Sequence, residues 1–229
     1  IMLDMPRDIN ALDPCCGRGT ALRTICKLST NLYGVELELR RAEDARTRLS
    51  NVICCAMQDA RLSHGSYGFL LLNPPYDDST EGRLEMVFLE RTTKYLMPGG
   101  ILAFIIKENQ YKGNILKFLR KYYEMVAHWK FPDGYYDGPE LAFGQTILIA
   151  RKRPSAHAEN PDMWHRKWFT DLEPMPQSAD YADVIKVTGG KKPLVFISGA
   201  MREEDMIKLL QNSPISRKPF VINKGGNGR

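Results

Sequence analysis

The sequence predicts an α/β fold of the doubly wound type, built on a mostly parallel sheet of seven strands. Short apolar stretches alternate with helix-like stretches from residue 10 to residue 151, an alternation typical of parallel sheets with helices on both faces. Residues 68–72 are apolar throughout, as a strand buried on both faces must be. Residues 132–144, which precede the last strand, do not have the pattern of a helix. We therefore expect one antiparallel strand in the edge region of the sheet.

The first part of the sheet is predicted from three short apolar stretches. Residues 10–15 contain the end of the first strand, and a turn with glycines leads into a helix-like stretch at 20–26. Residues 31–36 form the second strand. Residues 39–49 are rich in Ala, Arg and Glu, with apolar residues spaced for one helix face. Residues 51–55 give the third strand.

After strand four, at residues 68–72, the alternation continues. Helices are expected over residues 82–96 and 112–123. Strands are expected over residues 101–106, 126–131 and 145–151. Because right-handed crossovers bring the carboxyl ends of parallel strands to one edge, a ligand is expected at that edge.

Composition divides the chain after residue 153. Residues 1–153 carry the alternation and are predicted to form one domain. Residues 154–229, polar and proline-containing at first, are predicted to form a C-terminal appendage and are a candidate for part of a substrate-recognition region. The chain starts with Ile1, so we expect that the first residues of the gene product are missing. Only 12 residues precede Asp13, so either a preceding segment has been removed or the ligand pocket is open there.

Composition also excludes several classes of protein. Apolar residues are 43% and charged residues 26% of the chain, the balance of a soluble globular protein. No apolar run approaches the ~18 residues of a membrane-spanning helix, and the N-terminus lacks the pattern of a secretory signal. The five cysteines have no Cys-x-x-Cys spacing, which favours reduced thiols over a metal site. We expect a cytoplasmic protein without membrane or metal partners, and the net charge of +5 permits a nucleic-acid partner.

A glycine turn is predicted between the first strand and the first helix, in the segment Asp-Pro-Cys-Cys-Gly-Arg-Gly-Thr at residues 13–20. Gly17 and Gly19 allow the backbone to turn tightly and to approach a ligand closely. A dinucleotide-binding turn has a third glycine that this chain replaces with Leu22. The ligand is therefore expected to be a cofactor without phosphates. Glu36, at the end of the second strand, is placed to accept hydrogen bonds from ribose hydroxyls, with Glu38 as its rival.

The glycine turn resembles motif I of class I S-adenosylmethionine-dependent methyltransferases, whose pattern is Asp-Pro-x-x-Gly-x-Gly. The resemblance implies a Rossmann-like class I methyltransferase fold and S-adenosyl-L-methionine as cofactor. It also implies that Asp13 lies near the methionine amino group and that Asp59 and Ala60 lie at the adenine. The cofactor-binding residues expected on this basis are Asp13, Cys15, Gly17, Gly19, Glu36, Asp59 and Ala60.

The tetrapeptide Asn73-Pro74-Pro75-Tyr76 directly follows strand four. Its prolines rigidify the loop and hold the Pro74 carbonyl in one direction. That carbonyl and the Asn73 side-chain oxygen offer two acceptors for a planar NH₂ group, and Tyr76 offers a face for stacking. These four residues are the predicted catalytic residues. Methyl transfer in line with the S–C bond then needs no strong base, since the amine is neutral.

This tetrapeptide resembles motif IV of amino-methyltransferases that act on adenine N6, guanine N2 or glutamine N5. The order of the motifs resembles that of adenine-N6 methyltransferases, which favours adenine N6 in DNA as the substrate. In that family an aromatic residue near position 143 stacks on the substrate base; Phe143 is the candidate here, with Tyr135 and Tyr136 as rivals. The alternatives are an RNA base or protein-glutamine N-methyltransferase, or a non-catalytic cofactor-binding subunit.

Overall fold

A computed structural model describes residues 2–76, 78–79, 82–131, 144–156, 172–175, 184–190 and 192–199. The strands before the middle of the chain are β1 (Met2–Asp4), β2 (Asn10–Asp13), β3 (Asn31–Glu36), β4 (Asn51–Cys54), β5 (Ala60–Leu62) and β6 (Tyr67–Leu72). The later strands are β7 (Asp78–Ser79), β8 (Gly82–Arg83), β9 (Leu96–Lys107), β10 (Tyr123–Lys130), β11 (Gln145–Lys152), β12 (Val184–Lys186) and β13 (Phe196–Ser198). The helices are α1 (Thr20–Ile25), α2 (Leu39–Arg46), α3 (Leu84–Thr93) and α4 (Gly113–Tyr122), with single 3₁₀ turns at Met57–Asp59 and Glu108–Gln110.

Seven strands form the main sheet in the order β10-β11-β9-β6-β2-β3-β4. All neighbouring strands are parallel except β11, which is antiparallel to both β9 and β10. The predicted fold class is therefore confirmed, and the antiparallel strand lies next to the edge. An antiparallel neighbour needs no helical crossover, which agrees with the sequence of residues 132–144, where the pattern of a helix is missing.

The predicted elements differ from the observed ones mainly at their ends. The helix expected over residues 82–96 is shorter, since its first two residues belong to β8 and its last residue begins β9. Leu96 is fully buried and pairs with Tyr67 of β6, so sheet pairing determines its conformation there. The helix expected over residues 39–49 ends at Arg46.

The sheet is covered on both faces by helices. Leu22 of α1 and Ala45 of α2 belong to one apolar cluster with alternate residues of the central strands. Leu89 of α3 and Leu119 of α4 belong to the cluster on the opposite face. All six residues of β6 are buried, because a central parallel strand has protein on both sides. Among the helices that the structure describes, none is long and apolar enough to cross a membrane.

Two short strands beyond residue 153 pair with strands of the predicted 1–153 domain. β12 pairs in parallel with β1, and β13 pairs antiparallel with β5. The connection between β4 and β6, all of which the structure describes, contains β5 and one 3₁₀ turn but no α-helix. Phe196 of β13 packs against the apolar cluster on that face. The boundary at residue 153 stays a prediction, and both short strands beyond it contribute residues that pack with the apolar clusters of the main sheet.

Gly68 is required where residues 187–190 cross the beginning of β6. A Cβ atom at position 68 would lie 1.7 Å from the Thr188 carbonyl oxygen. Nearby, the Asn10 backbone N–H donates to the Gly189 carbonyl at 2.6 Å. The segment can therefore approach the sheet this closely only over a residue without a side chain.

Replacing Gly68 with alanine is expected to destabilise the protein by roughly 1–3 kcal/mol, because the segment or the strand must shift to avoid the overlap. Urea unfolding followed by circular dichroism measures the loss. Gly189→Ala is the matched control, since a Cβ there meets its nearest atoms at an ordinary 3.4 Å. Equal stability of the two variants would contradict the close contact at Gly68.

Candidate functional site

The predicted site residues follow four adjacent strands. β6, β2, β3 and β4 are neighbours in the sheet and run in the same direction. Asp13 ends β2, Glu36 ends β3, and Asn73 directly follows β6. The loops after these strands therefore meet at the carboxyl edge, where open α/β sheets bind their ligands.

The glycine turn has the backbone conformation that its sequence predicts. Gly17 and Gly19 have φ angles of 54° and 75°, in the left-handed region that favours glycine. A Cβ at Gly19 would lie 2.9 Å from the Leu49 side chain, whereas a Cβ at Gly17 would have no heavy atom within 4 Å. Gly19 thus permits close packing behind the turn, and the space beside Gly17 is open.

The Glu36 carboxylate is buried and faces the glycine turn. Its Oε2 accepts the Gly17 backbone N–H at 2.8 Å, and its Oε1 accepts the Glu38 backbone N–H at 2.9 Å. Arg41 makes an ion pair with Oε1 at 2.9 Å. A carboxylate has about four acceptor positions, so these three contacts leave one for a ligand hydroxyl.

Glu38, the alternative to Glu36 for the ribose hydroxyls, has a structural role instead. Its carboxylate caps the beginning of α2 by accepting the backbone N–H groups of Arg40 and Arg41, at 2.9 and 2.8 Å. These two hydrogen bonds lower the pKa of Glu38. A side chain used in this way satisfies otherwise unpaired helix donors, and Glu36 is the carboxylate that lies at the turn.

Asp13 is a buried acid beside the same turn. Its Oδ1 accepts the Cys15 backbone N–H at 3.1 Å. Burial raises the pKa of Asp13 to about 7; the Cys15 hydrogen bonds oppose this rise, and the nearby Glu36 charge adds to it. Among the described residues, no cationic side chain forms an ion pair with Asp13. A positively charged ligand group would stabilise its ionised form.

Asp59 and Ala60 lie at the end of the 3₁₀ turn after β4. The Asp59 side chain is exposed, and its carbonyl accepts the Gly199 backbone N–H at 2.5 Å. Ala60 is buried in the core, and its N–H donates to the Met57 carbonyl. Asp59 thus has an accessible carboxylate, whereas the Ala60 N–H is already used within the protein.

A contact from Cys15 joins the glycine turn to the Asn-Pro-Pro-Tyr loop. The Cys15 thiol lies 3.1 Å from the Asn73 carbonyl oxygen. Burial raises the pKa of this thiol well above its usual value, so the thiol keeps its proton and donates it to the carbonyl. The structure therefore brings the predicted cofactor turn and the predicted catalytic loop into direct contact.

Within the loop, Asn73 and Pro75 are exposed, Pro74 is buried and Tyr76 is half-buried. The Tyr76 hydroxyl donates to the Asn73 Oδ1 at 3.1 Å. The side-chain oxygen of Asn73 is thus held by one hydrogen bond, and a carbonyl oxygen has two lone pairs. One acceptor position therefore remains for a substrate amine.

Two residues at Tyr76 were given no role by sequence reasoning. The Gln145 Nε2 donates to the Tyr76 hydroxyl oxygen at 3.0 Å, and the Lys107 ammonium lies 5.6 Å from the centre of the Tyr76 ring. Gln145 begins β11, and its position two residues after Phe143 was the one feature of the sequence that pointed to it.

Phe143, Tyr135 and Tyr136 lie outside the described residues, so the predicted stacking residue stays a prediction. In the described part of the chain, no group of His, Cys, Asp or Glu has the arrangement of a metal site.

Solved structures with a similar fold are methyltransferases. A Listeria monocytogenes protein assigned to the class I S-adenosylmethionine-dependent methyltransferases matches with a TM-score of 0.54 at 16% identity, over 91% of this chain and 64% of that one. The present chain thus spans less than two thirds of that protein's length. The N-methyltransferase NodS from Bradyrhizobium japonicum matches with a TM-score of 0.50 at 13% identity, over 64% of this chain and 86% of that one. At such identities the likeness shows the fold alone.

Sequence comparison identifies the family. No curated protein sequence matches this chain at a significant level. Residues 3–183 match the model of the family described as "Uncharacterised methyltransferase family (DUF6094)". The match covers well over half of the chain and includes the glycine turn, Glu36 and the Asn-Pro-Pro-Tyr loop. The protein is therefore a member of this methyltransferase family.

Proposed function

We propose that this protein binds S-adenosylmethionine at the glycine turn and transfers the methyl group to the exocyclic amine of adenine, N6, in DNA. The observation that carries the proposal is the 3.1 Å contact between the Cys15 thiol and the Asn73 carbonyl. Through this contact, a cofactor at the turn and an amine at the loop would meet in one place. Holding two reactants together is the main part of catalysis for a direct transfer.

The residues of the turn fit the chemistry of this cofactor. Asp13 is a buried carboxyl without a cationic partner among the described side chains, and it suits the cofactor's ammonium group. Glu36 has one free acceptor position for a ribose hydroxyl. The exposed Asp59 carboxylate can accept a hydrogen bond from the adenine amino group. The missing third glycine at Leu22 agrees with a ligand that has no pyrophosphate.

The loop supports an amine as the methyl acceptor. When bound, the cofactor supplies an electrophilic methyl group on a sulfonium. The Asn73 oxygen, with one lone pair still free beside its bond to Tyr76, accepts a hydrogen from the substrate NH₂ and directs the nitrogen lone pair towards that methyl. The amine is neutral when it attacks, so the loop needs to position it and needs no strong base; the proton that the methylated nitrogen then loses can pass to water. Contacts that tighten at the transition state then lower the barrier.

A nucleic-acid substrate is supported by charge and by accessibility. The chain carries a net charge of +5, and Lys107 places an ammonium beside Tyr76, where it can lie near a phosphate. Asn73 is exposed, so a base that is unpaired or flipped out of a duplex can reach it. The order of the motifs resembles that of adenine-N6 methyltransferases, and DNA is therefore the nucleic acid that we propose as substrate.

The reaction is tested by incubating the protein with isotopically labelled S-adenosylmethionine and DNA, and then digesting the DNA to nucleosides for mass spectrometry. Labelled N6-methyldeoxyadenosine from DNA is expected. N6-methyladenosine from RNA alone, or methylglutamine from a protein substrate, would replace the DNA assignment with one of the alternatives. Absence of transfer to all three, with the cofactor bound, would favour a non-catalytic subunit.

Asn73→Ala is expected to lower kcat by about 100-fold or more, since it removes an acceptor that orients the substrate amine. Cofactor affinity, measured by calorimetry, should change little because the backbone carbonyl that meets Cys15 remains. Asn51→Ala is the matched control, because Asn51 is also exposed but lies at the beginning of β4, away from the carboxyl edge. Full activity of Asn73→Ala would overturn the catalytic assignment.

Substitutions at Glu36 and Glu38 are expected to have different effects, the first on cofactor binding and the second on the stability of α2. Glu36→Gln should weaken S-adenosylhomocysteine binding by roughly 10-fold or more, because it loses a charged hydrogen-bond acceptor. Glu38→Gln should lower the melting temperature through the weaker cap of α2 and leave the dissociation constant nearly unchanged. Calorimetry and thermal unfolding measure the two quantities. The reverse pattern would assign the ribose to Glu38.

Asp13 is expected to release a proton when the cofactor binds. The pKa of Asp13 in the free protein is raised from 3.8 to about 7, and the cofactor ammonium should lower it again. Calorimetry near pH 6 in two buffers of different ionisation enthalpy measures the release, which Asp13→Asn should abolish.

Because the folded state holds this proton more tightly than the unfolded state, the free energy of unfolding of the free protein should fall as pH rises from about 4 to about 7. A wild-type slope that persists in Asp13→Asn would contradict the assignment.

A further inference from the structure

A chain of two hydrogen bonds runs from Gln145 through Tyr76 to Asn73. The Gln145 Nε2 donates to the Tyr76 hydroxyl oxygen at 3.0 Å, and that hydroxyl donates to the Asn73 Oδ1 at 3.1 Å. Gln145 and Tyr76 are 69 residues apart in sequence. The chain of bonds thus joins the antiparallel strand β11 to the loop after β6.

We propose that Gln145 is a positioning residue that fixes the orientation of the Asn73 amide through the Tyr76 hydroxyl. The inference rests on the proposed function, in which the Asn73 oxygen accepts the substrate amine. Its basis is the direction of each hydrogen bond, since a tyrosine hydroxyl has a single proton to donate. With Gln145 donating to the hydroxyl oxygen, that proton is directed to Asn73.

The orientation of Asn73 decides which group the substrate meets. With the Tyr76 proton on Oδ1, the amide oxygen lies on the tyrosine side and keeps one lone pair for a substrate N–H. If Gln145 accepted from Tyr76 instead, the hydroxyl oxygen would become the acceptor, and the Asn73 NH₂ would turn towards it. An NH₂ group at that position repels a substrate NH₂, because both are donors.

The position of Gln145 is set by the sheet. Its backbone pairs with Lys107 of β9, and its carbonyl accepts the Phe131 N–H at 3.0 Å. The Gln145 Oε1 is buried and has no hydrogen-bond partner within the described part of the protein. A buried acceptor without a partner is rare, and its cost is tolerated where function constrains a side chain. Gln145 therefore has one polar side-chain contact here, and that contact is Tyr76.

Three variants separate positioning from packing. Gln145→Met keeps the length of the side chain and removes the donor, Gln145→Glu reverses the bond by offering only acceptors, and Tyr76→Phe keeps the ring and removes the relay. Each is expected to lower kcat roughly 10- to 100-fold with an unchanged cofactor KM. The double variant Gln145→Met/Tyr76→Phe should be no slower than Tyr76→Phe, because both changes break the same chain of bonds. Multiplied losses in the double variant would overturn the proposal.

A measurement without turnover tests the same orientation. The side-chain amide signal of Asn73 in a ¹⁵N–¹H NMR spectrum is assigned by its loss in Asn73→Ala. Gln145→Met and Tyr76→Phe are expected to shift it in the same direction. Gln110→Met should leave it in place, because the Gln110 side chain bonds its neighbour Asn109 instead. An unmoved signal in Gln145→Met would overturn the positioning role even in an active enzyme. A shared shift in a protein that methylates nothing would support the relay and refute the proposed function.

Discussion

The parallel pairing of β2 with β3 on one side and β6 on the other is the constraint on which the rest of the structure depends. Ala11 and Leu12 pair with Leu32 and Tyr33 of β3, and also with Phe69 and Leu70 of β6. In the observed register the apolar side chains of these strands, which are buried on both faces, stay out of water. That register places the ends of three strands side by side, and the glycine turn meets the Asn-Pro-Pro-Tyr loop as a result.

Two buried carboxyls at this edge have different surroundings. Glu36 is held by two backbone N–H groups and by Arg41, which fix the position of its oxygens. Asp13 receives the Cys15 N–H, and burial keeps its pKa near neutrality. The Glu36 carboxylate is thus preorganised as a fixed acceptor, whereas a cationic group of a ligand would stabilise the ionised form of Asp13. A zwitterionic cofactor with a ribose matches both.

Much of this arrangement was predictable because local patterns determine it. The seven strands of the main sheet are long enough, and apolar enough, for periodicity to indicate them, and the turn at Gly17 and Gly19 has its own sequence pattern. The three-residue strands β1, β5, β12 and β13 have no such pattern, since each is defined by a partner far away in the chain. The hydrogen bond between Gln145 and Tyr76 could not be predicted either, because it joins residues that are 69 positions apart in the chain. Sequence favoured Glu36 with Glu38 as its rival, and the observed beginning of α2 shows that Glu38 caps that helix.

The pairing of β13 with β5 also has a consequence for the order of folding. During synthesis the ribosome releases every strand of the main sheet, through β11, before it releases β12 and β13. Until then, the face over β5 lacks its partner strand β13, and the Phe196 ring is missing from the apolar cluster that it packs against. Contacts across so long a stretch of chain carry a high cost of loop closure and form late. The nascent chain therefore passes through a state in which all strands of the main sheet are present but the flank at β5 is incomplete, and that flank is where association with other chains can begin.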